Sequence, residues 1–510
     1  MLKKDLKLLS WDFFARLVII CFAMMQAIKW SILPQYMDIY YHLLTAWGFN
    51  QAGGYVTWDF WQYAPVGRPH IYPPFFHLLL ANLMKAGISP VILAKLCESI
   101  IPVIFLILLW RFARRNFDSK LSFFILIMTF SSFSFYSSLL NHLPGALGLI
   151  FAILALDQLL RARLLQSGLL LALCFYTHIG VSWFLAISII FYGLLDSNRR
   201  YMSFLTVICG VVLALPILVM QLANFNNIGN LGFEIIERYR SQIKIIDYLL
   251  AGYALFLIFK EKRKNLIFAA LFFGSLIFLL YPYRFFSAEG YLPIIFLSAL
   301  SLSALLERLK DKKYFKFAAI CTVSFFLFIS PTIYLDKPLV SDKTECKIRF
   351  FDSAFLGMLL QRGERIWYPR EYLPLAGFIR NNSTSKEIVY STSNLVGVII
   401  AAIAQRPTAN ALFQEIKTPS DFNPFLSSKI IIFSILDKEA VVGSAVKTYG
   451  LKKIGETSAF RIYINPYCTK SYNKINACVP FWAISALILM FILIFFILQK
   501  VMSNKLCKFF

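Results

Sequence analysis

The sequence predicts a polytopic α-helical membrane protein of about twelve spans, with a C-terminal α/β domain outside the bilayer. Three observations carry that reading. Of 510 residues, 59% are hydrophobic and only 15% charged, against roughly 45–50% apolar and about 25% charged in soluble domains. The excess is gathered into runs near the roughly twenty residues that a helix needs to cross the hydrocarbon core. Residues 336–479, by contrast, have the composition of a soluble domain. A soluble enzyme, a disordered chain and a nucleic-acid-binding globule are thereby excluded. The net charge of +24 does not imply a nucleic-acid partner, because no basic stripe is interleaved with exposed aromatics.

The chain opens with Lys3, Lys4 and Lys7 and enters an apolar run from Phe13 to Leu33. This has the charged start of a signal sequence but no small-residue cleavage site, which predicts an uncleaved first span. Further spans are expected at 91–110, 121–139, 144–160, 164–177, 179–195, 201–222, 246–260, 265–281, 291–306, 317–335 and 480–499. Residues 74–86 are apolar but too short to cross, and read as an amphipathic helix lying on the outer leaflet. Lys and Arg gather in alternate loops, among them Arg111, Arg114 and Arg115, Arg199 and Arg200, and Lys310, Lys312 and Lys313. The positive-inside rule places those loops and both termini in the cytoplasm; a prokaryotic cytoplasmic membrane is the expected setting. In 336–479, Glu387–Tyr390 and Lys429–Ile435 read as strands, 371–381 as a helix and Ala459–Ile464 as a closing strand. Cys468 and Cys478 can pair if they face an oxidising compartment, or remain two free thiols.

The candidate chemistry lies in the outer loops. The first, 34–90, reads Pro34-Gln-Tyr-Met-Asp38-Ile-Tyr-Tyr-His42, then Trp58-Asp59-Phe-Trp61, then Gly67-Arg68-Pro69-His70-Ile-Tyr72-Pro73-Pro74-Phe-Phe-His77. Asp38 directly follows the first span, so its carboxylate belongs at the membrane surface. There it can act as general base on an acceptor, or hold a divalent cation such as magnesium or manganese against a phosphate. His42 lies one helical turn on. His42, His70 and His77 are candidate substrate or metal contacts; Asp59 is a turn residue or a sugar contact, and Arg68 a phosphate ligand or an anchor. His142 and His178 fall at outer hairpins and read as structural. Asp157 is expected to pair locally with Arg161, and Glu234, Glu237, Arg238 and Arg240 to form a solvated helix. Overlapping sequons at Asn381 and Asn382 suggest exposure and little more.

This order of motifs resembles the GT-C superfamily of membrane glycosyltransferases. The Gly67-Arg68-Pro69…Tyr72-Pro73-Pro74 segment is most similar to oligosaccharyltransferase catalytic subunits and their uncharacterised prokaryotic relatives. The resemblance implies a GT-C-like transmembrane domain over 1–335, an extracytoplasmic α/β domain over 336–479, and a last span with a cytoplasmic tail over 480–510. It implies a polyprenyl-phosphate-linked sugar donor and a protein, lipid or glycan acceptor. Asp38 takes the place of the acid that engages the acceptor or its metal. Arg284, in Tyr283-Arg284-Phe-Phe-Ser-Ala-Glu289, takes that of the arginine facing the donor phosphate, with Arg68 in support; guanidinium suits phosphate as a planar fork of donors. His42, Asp59, His70, Tyr72 and Glu289 are the expected acceptor or substrate contacts. Two family features are missing. Leu139–Pro144 has no paired acids, and Ser391-Thr-Ser-Asn394 stands where Trp-Trp-Asp is expected. Transfer of one sugar from a lipid phosphate survives both absences better than transfer of a glycan to asparagine. The alternatives are a transporter or lipid flippase, or a non-catalytic cell-envelope scaffold. The spans hold few ionisable residues at mid-depth, which favours surface chemistry over translocation.

Overall fold

The computed structural model describes residues 10–227, 241–260, 265–309, 314–336, 345–359, 369–412, 419, 422–472, 475–484 and a few positions up to 497. The expected helix around Glu234–Arg240 and nine of the twenty residues of the expected last span lie outside the described residues.

Helix boundaries follow local chemistry. Ser10 accepts from the Phe13 N–H to cap Trp11–Ile28, and Ser89 caps Pro90–Asn116, whose first residue is a proline with no N–H to waste. Among the described residues, five helices are long and apolar enough to cross a membrane: Trp11–Ser31, Pro90–Asn116, Leu143–Leu160, Ser197–Ala223 and Glu289–Glu307. The chain is an integral membrane protein. The other expected spans differ from straight crossings. The run at 121–139 is two helices, Ser119–Ser131 and Phe133–Asn141, bent by 81°. Leu164–Thr177 and Ile179–Leu195 are 14 and 17 residues long, about 21 and 26 Å of rise against a core of about 30 Å. The run at 317–335 stops at Ile329. Ser330 there is left-handed (φ 48°), Pro331 follows, and Thr332–Asp336 is a strand paired with Ser241–Ile243 and Glu345–Arg349. Breaks at Ser132 and Ser330 thus shorten the runs at 121–139 and 317–335, which hydropathy reads as continuous, whereas the break at His178 falls at the expected hairpin.

One buried cation ties two of these breaks together. The Lys244 ammonium donates to the Ser131 carbonyl at 2.6 Å and the Ser330 carbonyl at 3.3 Å. Both are helix-end acceptors with no intrahelical partner, where positive charge is favourable.

The C-terminal sheet runs Val389–Ser391, Ile430–Ser434, Phe460–Ile464, Lys452–Glu456, with the first pair parallel and the others antiparallel. Its central strand is apolar throughout because both faces are covered. Ile430 and Ile432 face a core shared with helices Tyr372–Asn382 and Asn394–Ala404, while Ile431 and Phe433 pack on Val442 and Ala445 of helix Glu439–Tyr449. The first of those cores is continuous with the loop after span one. Helix Asp38–Ala52 and Phe76, Leu80 and Ala81 of the amphipathic helix Phe75–Lys85 belong to it. Backbone bonds reinforce the union: Thr408 N–H donates to Trp61 O at 2.9 Å, and Gly54 and Tyr55 pair with Pro480 and Val479. Cys468 is buried and Cys478 exposed, both as free thiols.

Candidate functional site

Asp38 begins helix Asp38–Ala52, in the first turn, where exposed amides favour a carboxylate. Its Oδ2 lies 3.1 Å from His142 Nδ1, with 16% of the Asp38 side chain and 18% of His142 exposed. His142 joins helices Phe133–Asn141 and Leu143–Leu160, and its side chain does not cap the second helix. That leaves Nδ1 for Asp38, while the ring leans on Tyr283 with centroids 5.9 Å apart.

A second group stands beside the first. Arg284, on the short helix Pro282–Ser287, donates from Nη1 to Glu289 Oε1 at 2.8 Å and has 20% of its side chain exposed. His178 closes the triangle, with Nε2 3.3 Å from Arg284 Nη1 and 3.7 Å from Glu289 Oε1. Its Nδ1 accepts the Val181 N–H at 3.2 Å. The neutral ring therefore carries its proton on Nε2, directed at Glu289. Burial pushes the His178 imidazole below its ordinary pKa, opposed in part by Glu289. The Arg284 Nε and Nη2 donate to nothing among the described residues, which leaves two edges of the guanidinium for an oxyanion.

Gly145 is where the two groups meet. A Cβ there would sit 2.8 Å from Glu289 Oε1, 3.5 Å from His142 Cβ and 3.7 Å from His178 Cδ2. Asp38, His142, His178, Arg284 and Glu289 thus form one neighbourhood around a missing methyl group. Tyr72 adjoins it: half-buried, it lies edge-on to His42 and His77 and contributes to the field at Arg284.

The remaining candidates are held elsewhere. Asp59, Arg68 and His70 form a buried knot, with Asp59 accepting from His70 Nδ1 at 2.6 Å and Arg68 Nε at 3.4 Å. Arg68 Nη2 also donates to Gln62 Oε1 at 3.1 Å and the Leu412 carbonyl at 2.7 Å. With Asp59 0% and Arg68 1% exposed, this knot fastens the first loop to the C-terminal sheet. His42 and His77 share one hydrogen bond of 2.8 Å and are fully buried; burial pushes both imidazoles well below their ordinary pKa. Sequence reasoning treated His142 and His178 as structural, yet they are what bring Asp38 and Arg284 together. Both stand at a helix start with a glycine two or three residues on, Gly145 and Gly180.

The described residues hold no preformed metal cluster. A magnesium or manganese ion takes about six oxygens, but one or two carboxylates with water and substrate phosphate can supply them. Here Asp38 offers one carboxylate beside an imidazole, Glu289 is engaged by Arg284, and no three His, Cys, Asp or Glu converge among the described residues. No step below runs through a metal.

No family model matches the sequence and no curated protein matches it. Solved structures do match the fold. The oligosaccharyltransferase AglB from Archaeoglobus fulgidus, in complex with an inhibitory peptide and a dolichol-phosphate, aligns over 89% of this chain and 75% of its own, at 12% identity and TM-score 0.57. ArnT from Cupriavidus metallidurans in the apo state aligns over 89% and 99%, at 12% identity and TM-score 0.55. The mycobacterial arabinofuranosyltransferase AftD aligns over 89% and 42%, at 12% identity and TM-score 0.52. All three are GT-C glycosyltransferases, and the chain has a GT-C-like fold.

Proposed function

We propose that the protein is a membrane glycosyltransferase that moves a sugar from a polyprenyl-phosphate-linked donor to a protein, lipid or glycan acceptor at the outer membrane face. The observation that carries this reading is the difference in access between two acid–arginine sets. Asp38 and Arg284 are 16% and 20% exposed and their partners His142, His178 and Glu289 gather around Gly145, whereas Asp59 and Arg68 are sealed. On a GT-C-like scaffold, the reachable set is the one that substrates can enter.

In an inverting transfer, the acceptor oxygen forms a bond to the anomeric carbon as the bond from that carbon to the phosphate oxygen breaks. The Asp38 carboxylate takes the acceptor proton, and the electron pair leaves on the phosphate. His142 orients Asp38. Arg284, held by Glu289 through Nη1, presents Nε and Nη2 to the growing phosphate charge; fixed donors in a water-poor site are worth most there. Positive-inside orientation supports an outer-face site with both termini cytoplasmic.

The test is mass spectrometry of co-purifying lipids on wild type and Arg284→Ala, followed by transfer assays with the sugar so identified. Polyprenyl phosphate or its sugar conjugate should be enriched on wild type and lost from Arg284→Ala. Asp38→Asn should lower turnover by about 10²–10⁴-fold. Bulk phospholipid alone on both proteins, or turnover unchanged by Asp38→Asn, overturns the reading.

A further inference from the structure

A polar cleft separate from the Asp38–Arg284 neighbourhood opens between the end of the first span and the start of helix Pro90–Asn116. It measures about 420 Å³, including the space it shares with solvent, and its polar lining is Gln26, Lys29, Gln35, Lys95, Glu98 and Ser99. Three charged side chains face this space without closing on one another. Lys29 and Glu98 feel each other's charge, yet neither they nor Lys95 form an ion pair among the described residues. The Lys29 ammonium donates only to the Tyr136 hydroxyl, at 3.0 Å, and rests over its ring.

Gln26 gives a second, independent sign that the cleft takes a ligand. It is 2% exposed, its Nε2 donates to the same Tyr136 hydroxyl at 3.1 Å, and its Oε1 has no partner. A buried amide oxygen left without a donor costs on the order of 1–3 kcal/mol. A ligand that brings a hydrogen-bond donor removes that cost.

The surroundings say where the ligand comes from. Ile28, next to Lys29 in the chain, is 76% exposed, Ile92, one turn before Lys95, is 47% exposed, and Trp30, which lines the cleft, is 39% exposed. Apolar side chains bare on the flanks of a span face lipid. A tryptophan and two lysines at its end are the residues that lie at headgroup level, the lysine stems along apolar surface and the ammonium groups in the polar layer. The two lysines outnumber the one acid in the cleft, which favours an anionic headgroup.

From this geometry we infer a second lipid site, in which Lys29 and Lys95 hold the phosphodiester of a phospholipid headgroup while Gln26 and Glu98 accept hydrogen bonds from headgroup hydroxyls. The site is distinct from the donor site proposed above. Tyr136 belongs to helix Phe133–Asn141, which ends next to His142, so an occupied headgroup site braces the helix that leads to the partner of Asp38.

Native mass spectrometry of the full chain in detergent tests this, with phosphatidylglycerol, phosphatidylcholine and a polyprenyl phosphate added in turn and inorganic phosphate as a soluble competitor. Lys95 makes no hydrogen bond or ion pair among the described residues, so Lys95→Gln is the primary variant and Lys29→Gln the second. Phosphatidylglycerol should bind wild type and bind Lys95→Gln about tenfold more weakly, the loss of one charge-assisted contact. Glu98→Gln should erase the preference for phosphatidylglycerol over phosphatidylcholine, which offers no hydroxyl. Arg284→Ala should leave the adduct intact, which separates this site from the donor site. Three results overturn the inference: equal phosphatidylglycerol binding by wild type and Lys95→Gln; a Lys95-dependent preference for the polyprenyl phosphate; or displacement of the lipid by inorganic phosphate alone.

Discussion

Gly145→Ala should separate catalysis from folding. The added Cβ would lie 2.8 Å from Glu289 Oε1, and ordinary contact begins at 3.4 Å, so the carboxylate must retreat by about 0.6 Å. Glu289 Oε1 is the far end of a rotatable side chain, and no backbone need move. Helix Leu143–Leu160 gains about 1 kcal/mol of propensity from the change. Folding therefore loses little. The site loses more, because the displaced oxygen is the one that holds Arg284 at 2.8 Å and faces His178 at 3.7 Å. An arginine set loose by a sizeable fraction of an ångström no longer meets the leaving phosphate in register. Displacements near 1 Å can cost about 100-fold, and we expect a fall in turnover of about 10–100-fold. The assay is sugar transfer on purified protein, with thermal unfolding followed in parallel. Turnover within about twofold of wild type, in a protein that unfolds normally, would refute the argument that Gly145 holds the site's geometry.

Other expectations follow from the same contacts. Arg68→Ala should destabilise the protein by about 3–5 kcal/mol, since it removes the cation paired with the sealed Asp59 carboxylate, leaving only His70 on it, and frees the Leu412 carbonyl; denaturation at fixed detergent checks this, and a shift no larger than that of Arg284→Ala contradicts it. Lys244→Met should cost a similar amount and loosen both helix breaks, read as faster amide exchange around Ser131 and Ser330. Stability should fall in acid. His42 and His77 have folded pKa values depressed by burial, His42 to about 3. An unfolded histidine takes up a proton near pH 6.5, so stability is complete above that value and declines as pH falls toward the folded pKa. Unfolding midpoints measured from pH 8 to pH 5 should drop, and His77→Phe should flatten the slope; a flat wild-type profile counts against the buried neutral pair.

What could be read from the sequence was local. The run from Lys429 to Ile435 read as a strand, and Ile430–Ser434 is that strand; its four consecutive apolar residues are buried on both faces. Helix Tyr372–Asn382 and strand Phe460–Ile464 lie within a residue or two of their expected ends. The Asp157–Arg161 pair formed at 3.3 Å as its four-residue spacing required, and Asn381 and Asn382 are exposed. Access was not local. Asp38 and Asp59 look alike in sequence, both acids in an aromatic loop after a span. What seals one of them is Arg68 reaching the carbonyl of Leu412, far along the chain. Span lengths failed for a related reason. Hydropathy registers apolar content but not a helix break, and Ser132 and Ser330 do not stand out among the other serines and threonines of their runs.

The histidines explain how a helical scaffold with few polar residues in its spans assembles a polar site. A membrane helix satisfies its own backbone except at its ends, where free amides and carbonyls need partners. His142 and His178 occupy two such ends, between Asn141 and Leu143 and between Thr177 and Ile179. Helix termini in a bundle fall at similar depth, so two histidines at helix starts reach the same layer without either helix carrying a histidine inside the bilayer. His178 uses one nitrogen to cap its helix at Val181 and turns the other to Glu289 and Arg284. His142 leaves the cap open and turns Nδ1 to Asp38. Glycine three residues after His142 then lets helix Leu143–Leu160 approach Glu289 closely enough to join the two pairs. The site is therefore a product of where the helices stop, and substitutions that move those stops should disturb it as surely as substitutions of the charged residues themselves.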